Sequence, residues 1–274
     1  MERITLPAIG TARAFRDAAR AQMGYGVPPE ALLWSMGAAD DLFAGGPPSN
    51  GGPARQARLP KGALGTINAA LCHSDPARFA RIYDVLWRVA GGDLRWADRS
   101  DPAMQRVLAQ AKAVGRDIHK MHAFVRFQER PTDGARRLFS SWFEPDHFIV
   151  ERAAPFFAKR FGDMDWVIAT PSLTAQFVAE ELTVFETVSR PPSGADATED
   201  LWRTYYKSIF NPARLKVKAM QSEMPQKYWK NLPEADLIAG LIRQAETRSQ
   251  QMVEAAPTEP SAQAKALARR RGGS

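Results

Sequence analysis

Three of the four histidines, His119, His122 and His147, lie in one stretch of the chain, and Glu144 and Asp146 precede the last of them in "WFEPDH". Imidazoles and carboxylates so placed are groups that bind a divalent cation or relay a proton. His119, however, shares its helical side with Lys112, Arg116 and Lys120, and that field repels a cation. No metal ion and no cofactor is expected. His119, Glu144 and His147 are the candidates for acid–base work. A second set of residues points to a different chemistry. Between Leu201 and Lys230, seven Lys or Arg residues stand against one Glu. They interleave with Trp202, Tyr205, Tyr206, Phe210, Tyr228 and Trp229. Cations neutralise phosphates and release counterions. Ring faces stack on unpaired bases, at about 1–3 kcal/mol each. The candidate stacking groups are Tyr206, Tyr228 and Trp229. The candidate phosphate contacts are Arg214, Lys216, Lys227 and Lys230, joined by Arg116, Lys120 and Arg126 from earlier in the chain. At helical spacing, Trp202, Tyr205 and Tyr206 also read as a packing stripe.

These residues need elements to hold them. "RITLP" and "ALLWSM" read as short strands around a helix from about Thr11 to Met23. "LPKGALGTINAALCH" reads as helix. Ser74 or Asp75 then caps another helix that runs to about Val89, and Gly91-Gly92 ends it. Ser100 or Asp101, followed by Pro102, opens a long helix. In it Met104, Val107, Ala111, Val114, Ile118 and Met121 recur at spacings of three and four, which predicts the buried stripe. Lys112, Arg116, His119 and Lys120 fall opposite. The period then changes. "AFVRFQE" and "RRLFSSWFE" flank "RPTDGA", an Asp-Gly turn, and predict a hairpin. "DHFIVERAAPFFAKRF" reads as helix, while "DWVIATP" and "AQFVAEELTVFETV" add two or three strands. Helix returns after Glu199. The class is α+β: a central antiparallel sheet of about four to five strands, packed with helices from the N-terminal and C-terminal parts. Residues 1–254 are expected to form one domain with a flexible loop near 44–58, and 255–274 a disordered basic tail.

The totals narrow the class of function. The chain has 274 residues, a net charge of +7 and 45% hydrophobic residues. No apolar run is long enough to span a bilayer, so no membrane partner is expected. The N-terminus lacks the pattern of a secretory signal, and one cysteine, Cys72, forms no internal disulfide; the cytoplasm is the expected compartment. There is no GxxxxGK[ST] loop, no GxGxxG fingerprint and no GxSxG elbow. The positive charge favours anionic partners.

Four phrases taken together carry a resemblance: "CHSDPARFARIYDVLWR", "DIHKMHAFVRF" (Asp117–Phe127), "WFEPDHFIVERAAPFFAKRF" (Trp142–Phe161) and "YYKSIFNPARLKVKAMQSEMPQKYWKNLPEADLI" (Tyr205–Ile238). From about Arg3 to Met252 the chain resembles an uncharacterised bacterial family of probable DNA-metabolism or DNA-repair proteins. Its members occur alone, beside a radical-SAM protein of suspected DNA repair, or fused ahead of a UdgX-type uracil-DNA-binding domain. The resemblance implies a DNA-associated accessory role, with DNA, a uracil-DNA glycosylase-like protein and a radical-SAM repair protein as partners. It supplies no catalytic residue, and the chain has no GExPG loop for uracil excision. The alternative is a nucleobase- or nucleotide-modifying enzyme that uses the His119, Glu144 and His147 region with a partner chain. That reading requires the three side chains to converge.

Overall fold

The computed structural model describes residues 1–37, 52–132, 134 and 136–188. The chain divides into two compact units, Met1–Asp196 and Ala197–Ser274, and the described residues all belong to the first. The helices expected after Glu199, the basic tail and the larger part of the 44–58 loop lie outside the described residues, as do Tyr206, Arg214, Lys216, Lys227, Tyr228, Trp229 and Lys230.

A small parallel sheet opens the chain. Strand β1 (Glu2–Leu6) pairs with β2 (Leu32–Met36), with Glu2 opposite Leu32 and Leu6 opposite Met36. Helix α1 (Thr11–Gly24) connects them, as a parallel pair requires. Gly10 caps it at φ 72°, a left-handed backbone that glycine adopts without steric cost. Three helices follow: α2 (Ala63–Ala70), α3 (Arg78–Gly91) and α4 (Pro102–Phe124). Their apolar faces and α1 close over the small sheet. Phe15, Trp34, Phe79 and Tyr83 form its aromatic centre, with Phe15 and Trp34 ring centroids 4.8 Å apart and Trp34 and Tyr83 5.5 Å apart. The Tyr83 hydroxyl donates to the Val27 carbonyl at 2.7 Å.

Asp101 caps α4: its side chain accepts from the Met104 N–H at 2.9 Å and also pairs with Arg88. The Arg88 hydrogen bond, then the Met104 N–H, hold this carboxyl below the ordinary carboxylate range. At the start of α3 the expected cap differs. Ala77 is the N-cap residue, and Asp75 accepts from its N–H at 2.9 Å.

The second sheet has five strands in the order β3 (Gln128–Arg130), β4 (Leu138–Trp142), β5 (Asp165–Ala169), β6 (Leu173–Val178) and β7 (Glu181–Glu186). The α+β class and the hairpin at 128–142 are as the sequence predicts. The sheet is mixed rather than purely antiparallel: β4 and β5 run parallel, with Leu138 opposite Asp165. Helix α5 (Val150–Arg160) lies between those two strands in the chain, and a strand–helix–strand crossover returns the second strand in the same direction. Trp166 anchors the apolar face of this sheet against Phe157 of α5 and stacks on Phe177, centroids 5.6 Å apart. Among the described residues, no helix is long and apolar enough to cross a membrane.

Candidate functional site

Helix α4 buries Met104, Val107, Gln110, Val114, Asp117 and Met121. Two of the six differ from the expected stripe. Gln110 and Asp117 replace Ala111 and Ile118, which are half-buried. Seven residues apart, they sit two turns along one face, and each reaches a loop. Asp117 Oδ2 accepts from the backbone N–H groups of Asp146 and His147, at 2.9 and 3.0 Å. Gln110 Nε2 donates to Asp75 Oδ2 at 3.0 Å. Asp75 also pairs with Arg81 at 2.8 Å. Burial pushes the Asp75 carboxyl up, but hydrogen bonds from the Ala77 N–H and the Arg81 guanidinium outweigh it and hold the group below the ordinary range.

These contacts lace the turn before α3 to the loop before α5. The Phe148 N–H donates to the Cys72 carbonyl at 2.8 Å. The His73 and His147 rings lie 4.2 Å apart, tilted by 31°. His73 Nδ1 accepts from the Asp75 N–H at 2.9 Å. His147 Nδ1 meets the Ser74 N–H at 3.3 Å and the Ser74 hydroxyl at 3.0 Å. With a backbone N–H donating to each Nδ1, the pattern assigns the neutral proton of both rings to Nε2. A serine hydroxyl against an imidazole nitrogen is the outline of an activated nucleophile. Here the Ser74 backbone N–H competes for the same lone pair, so the contact locks a turn. Cys72 beside it is half-buried, and burial pushes its thiol up to about 11, so it carries no thiolate at neutral pH.

Burial, and then the His147 ring, lower the His73 pKa from its ordinary 6.5. The folded state therefore binds fewer protons than the unfolded chain in the window below that value. Stability is full above about pH 6.5 and is lost as pH falls through that window. His122 shifts in the same direction, again chiefly through burial. The expected result is a urea midpoint that declines from pH 7.5 to 5.5 and declines less in His73→Gln. A flat profile in the unmodified protein would show that neither ring is held neutral.

Of the proposed acid–base residues, His119 lies on α4 and Glu144 and His147 on the segment between β4 and α5. His147 joins His73 and Ser74. Glu144 accepts from the Trp142 indole N–H at 2.8 Å. His119 is exposed, about 200° around α4 from Asp117, which is the α4 residue that reaches the His147 loop. Among the described residues, no three His, Cys, Asp or Glu side chains gather to hold a metal ion. His122 packs on Phe156, centroids 4.0 Å apart, and contacts the Ala153 carbonyl.

The phosphate-contact candidates on α4 are Arg116 and Lys120, on a helix with further basic groups. Arg106, Lys112, Arg116 and His119 are exposed, and Lys120 is half-exposed. Lys112, Arg116 and Lys120 climb the helix in steps of four residues, about 6 Å each. Asp117 is the one acid in α4, and it is buried. Among the described residues, no carboxylate pairs with Lys112, Arg116 or Lys120. Arg126, the third candidate, follows α4. Its guanidinium turns back to the Ala123 and Val125 carbonyls at the C-terminal end of α4, at 2.8 and 3.3 Å, which makes it a helix-end group.

A family model described as a domain of unknown function (DUF4130) matches residues 76–234. No curated protein and no solved structure matches significantly.

Proposed function

We propose that this chain, which belongs to the DUF4130 family, is a cytoplasmic, DNA-associated accessory protein of DNA repair or metabolism. It holds single-stranded or damaged DNA, or docks a repair enzyme that acts on it. The cation ladder of α4, with which no carboxylate pairs among the described residues, is the observation that carries the reading. Like charges four residues apart weaken a helix by about 0.2–0.5 kcal/mol per pair. A polyanion laid along Lys112, Arg116 and Lys120 relieves that repulsion and releases its counterions. The C-terminal set, with Arg214, Lys216, Lys227 and Lys230 as phosphate contacts and Tyr206, Tyr228 and Trp229 as stacking groups, extends the proposal beyond the described residues. Resemblance to proteins found beside a radical-SAM repair protein, or fused to a UdgX-type domain, supports a uracil-DNA glycosylase-like protein and a radical-SAM protein as partners. A nucleobase-modifying enzyme built on His119, Glu144 and His147 is less favoured, because His119 stands away from the loop that holds His147.

The test is a fluorescence anisotropy panel of single-stranded, duplex, uracil-containing and mismatched DNA, with and without the neighbouring repair proteins. Tighter binding of single-stranded or damaged DNA than of intact duplex is expected. Failure of every DNA to bind, alone and with the partners, would overturn the DNA-holding role and leave docking alone.

A further inference from the structure

A cavity of about 240 Å³ opens between the start of α1, the end of α2 and the first turns of α3 and α5. Four arginines line it: Arg13 and Arg16 from α1, Arg78 from α3 and Arg152 from α5. Among the described residues, the single carboxylate in the lining is Glu151. The described lining residues, four positive and one negative, carry a formal +3.

Arg78 is the informative member. It is 3% exposed, and buried guanidinium groups are ordinarily paired with an acid. Its Nε donates to the Leu71 carbonyl at 2.8 Å and one Nη to the Asp75 carbonyl at 3.1 Å. Among the described residues, the other Nη donates only to the Met36 sulfur, at 3.1 Å, a weak acceptor. Among the described residues, no carboxylate pairs with it. Burial lowers its pKa to about 10, so it remains charged at neutral pH. Glu151 adds a second observation. Its Oε1 accepts from the Gly10 N–H at 2.9 Å, at the positive end of α1. The protein's own carboxylate thus already occupies an anion position in this cavity.

We propose that the cavity binds a phosphomonoester, presented by a free mononucleotide or by the 5′-phosphate end of a DNA strand. A phosphomonoester is close to a dianion at neutral pH, with a second pKa of about 6, and so offsets most of the wall's charge. The guanidinium groups arrive from three different helices. The tetrahedral oxygens of a phosphate accept from several directions, whereas a planar carboxylate is served by one guanidinium fork. Phe148 and Met36, also in the lining, give the body of the ligand an apolar surface. This site is separate from the α4 ladder and does not depend on the reading above.

Calorimetric titration of the full chain at one ionic strength tests it, with inorganic phosphate, dTMP and thymidine as probes. A 5′-phosphorylated and a 5′-hydroxyl oligonucleotide form the second arm. Phosphate and dTMP should bind and thymidine should not. The double variant Arg13→Gln, Arg152→Gln alters two exposed side chains and should weaken dTMP about tenfold or more. Glu151→Gln keeps an acceptor for the Gly10 N–H, removes the competing charge and should tighten dTMP severalfold. A gain from the 5′-phosphate on the oligonucleotide identifies a strand end as the source; binding of dTMP without that gain identifies the free nucleotide. Thymidine binding as well as dTMP, or dTMP affinity unmoved by both variants, would overturn the assignment.

Discussion

Replacing Asp117 by alanine should cost about 3 kcal/mol or more of folding stability, among the largest effects of any single polar substitution in this unit. The carboxylate is 3% exposed and accepts two backbone N–H groups, from Asp146 and His147. Alanine would leave both donors without that acceptor, at roughly 1–3 kcal/mol each. It would also release the loop that carries His147 onto His73. Asp117→Asn keeps one carbonyl oxygen in place and should lose less. Urea denaturation of the two variants measures the difference. A loss below about 1 kcal/mol in the alanine variant would mean that the loop before α5 is held by other contacts.

Trp166→Ala should cost about 3–5 kcal/mol, and Trp166→Phe far less. The indole is fully buried and packs on Phe157 and Phe177, so truncation leaves a cavity at the centre of the second sheet. Its N–H, however, is buried with no hydrogen-bond partner among the described residues. Phenylalanine removes that unsatisfied donor while it keeps most of the ring contact, and the two effects oppose each other. Thermal unfolding of both variants separates ring packing from the polar atom. Equal destabilisation by the two would show that the indole shape itself, not an aromatic ring, is required.

Much of this fold is legible in residue spacing, and the exceptions have physical causes. The Asp101–Pro102 start of α4 is visible because a cap and a first-turn proline are local signals. The α4 stripe is legible at Met104, Val107, Val114 and Met121, but hydrophobic periodicity hides Gln110 and Asp117. A polar residue enters a core where it meets a specific partner, and those partners, Asp75 and the 146–147 backbone, lie far away in sequence. The two polar residues spaced by seven inside an apolar stripe were the available signal. The β6–β7 hairpin turns at Ala179 and Glu180, with φ of 51° and 66°. Neither residue type advertises a left-handed turn, so pairing of the flanking strands is what imposes it. The parallel β4–β5 pair follows from reading α5 as a crossover and not as an insertion between hairpins.

The candidate site divides in the same way. Exposure of the α4 cations follows from helical geometry once the stripe is known. The four-arginine cavity does not, because Arg13, Arg78 and Arg152 are distant in sequence and converge only through packing of α1, α3 and α5. Arg126 has a contact that its charge does not reveal: two residues past the end of α4, its guanidinium donates to the Ala123 carbonyl.

The central claim is that the α4 ladder meets a nucleic-acid backbone, and the salt dependence of single-stranded DNA binding tests it most directly. Log affinity against log salt should be a falling line for the unmodified protein. In the triple variant Lys112→Ala, Arg116→Ala, Lys120→Ala the slope should be shallower by about 2, at roughly 0.7 per lost phosphate contact. The same slope and the same affinity in the two proteins would contradict the account.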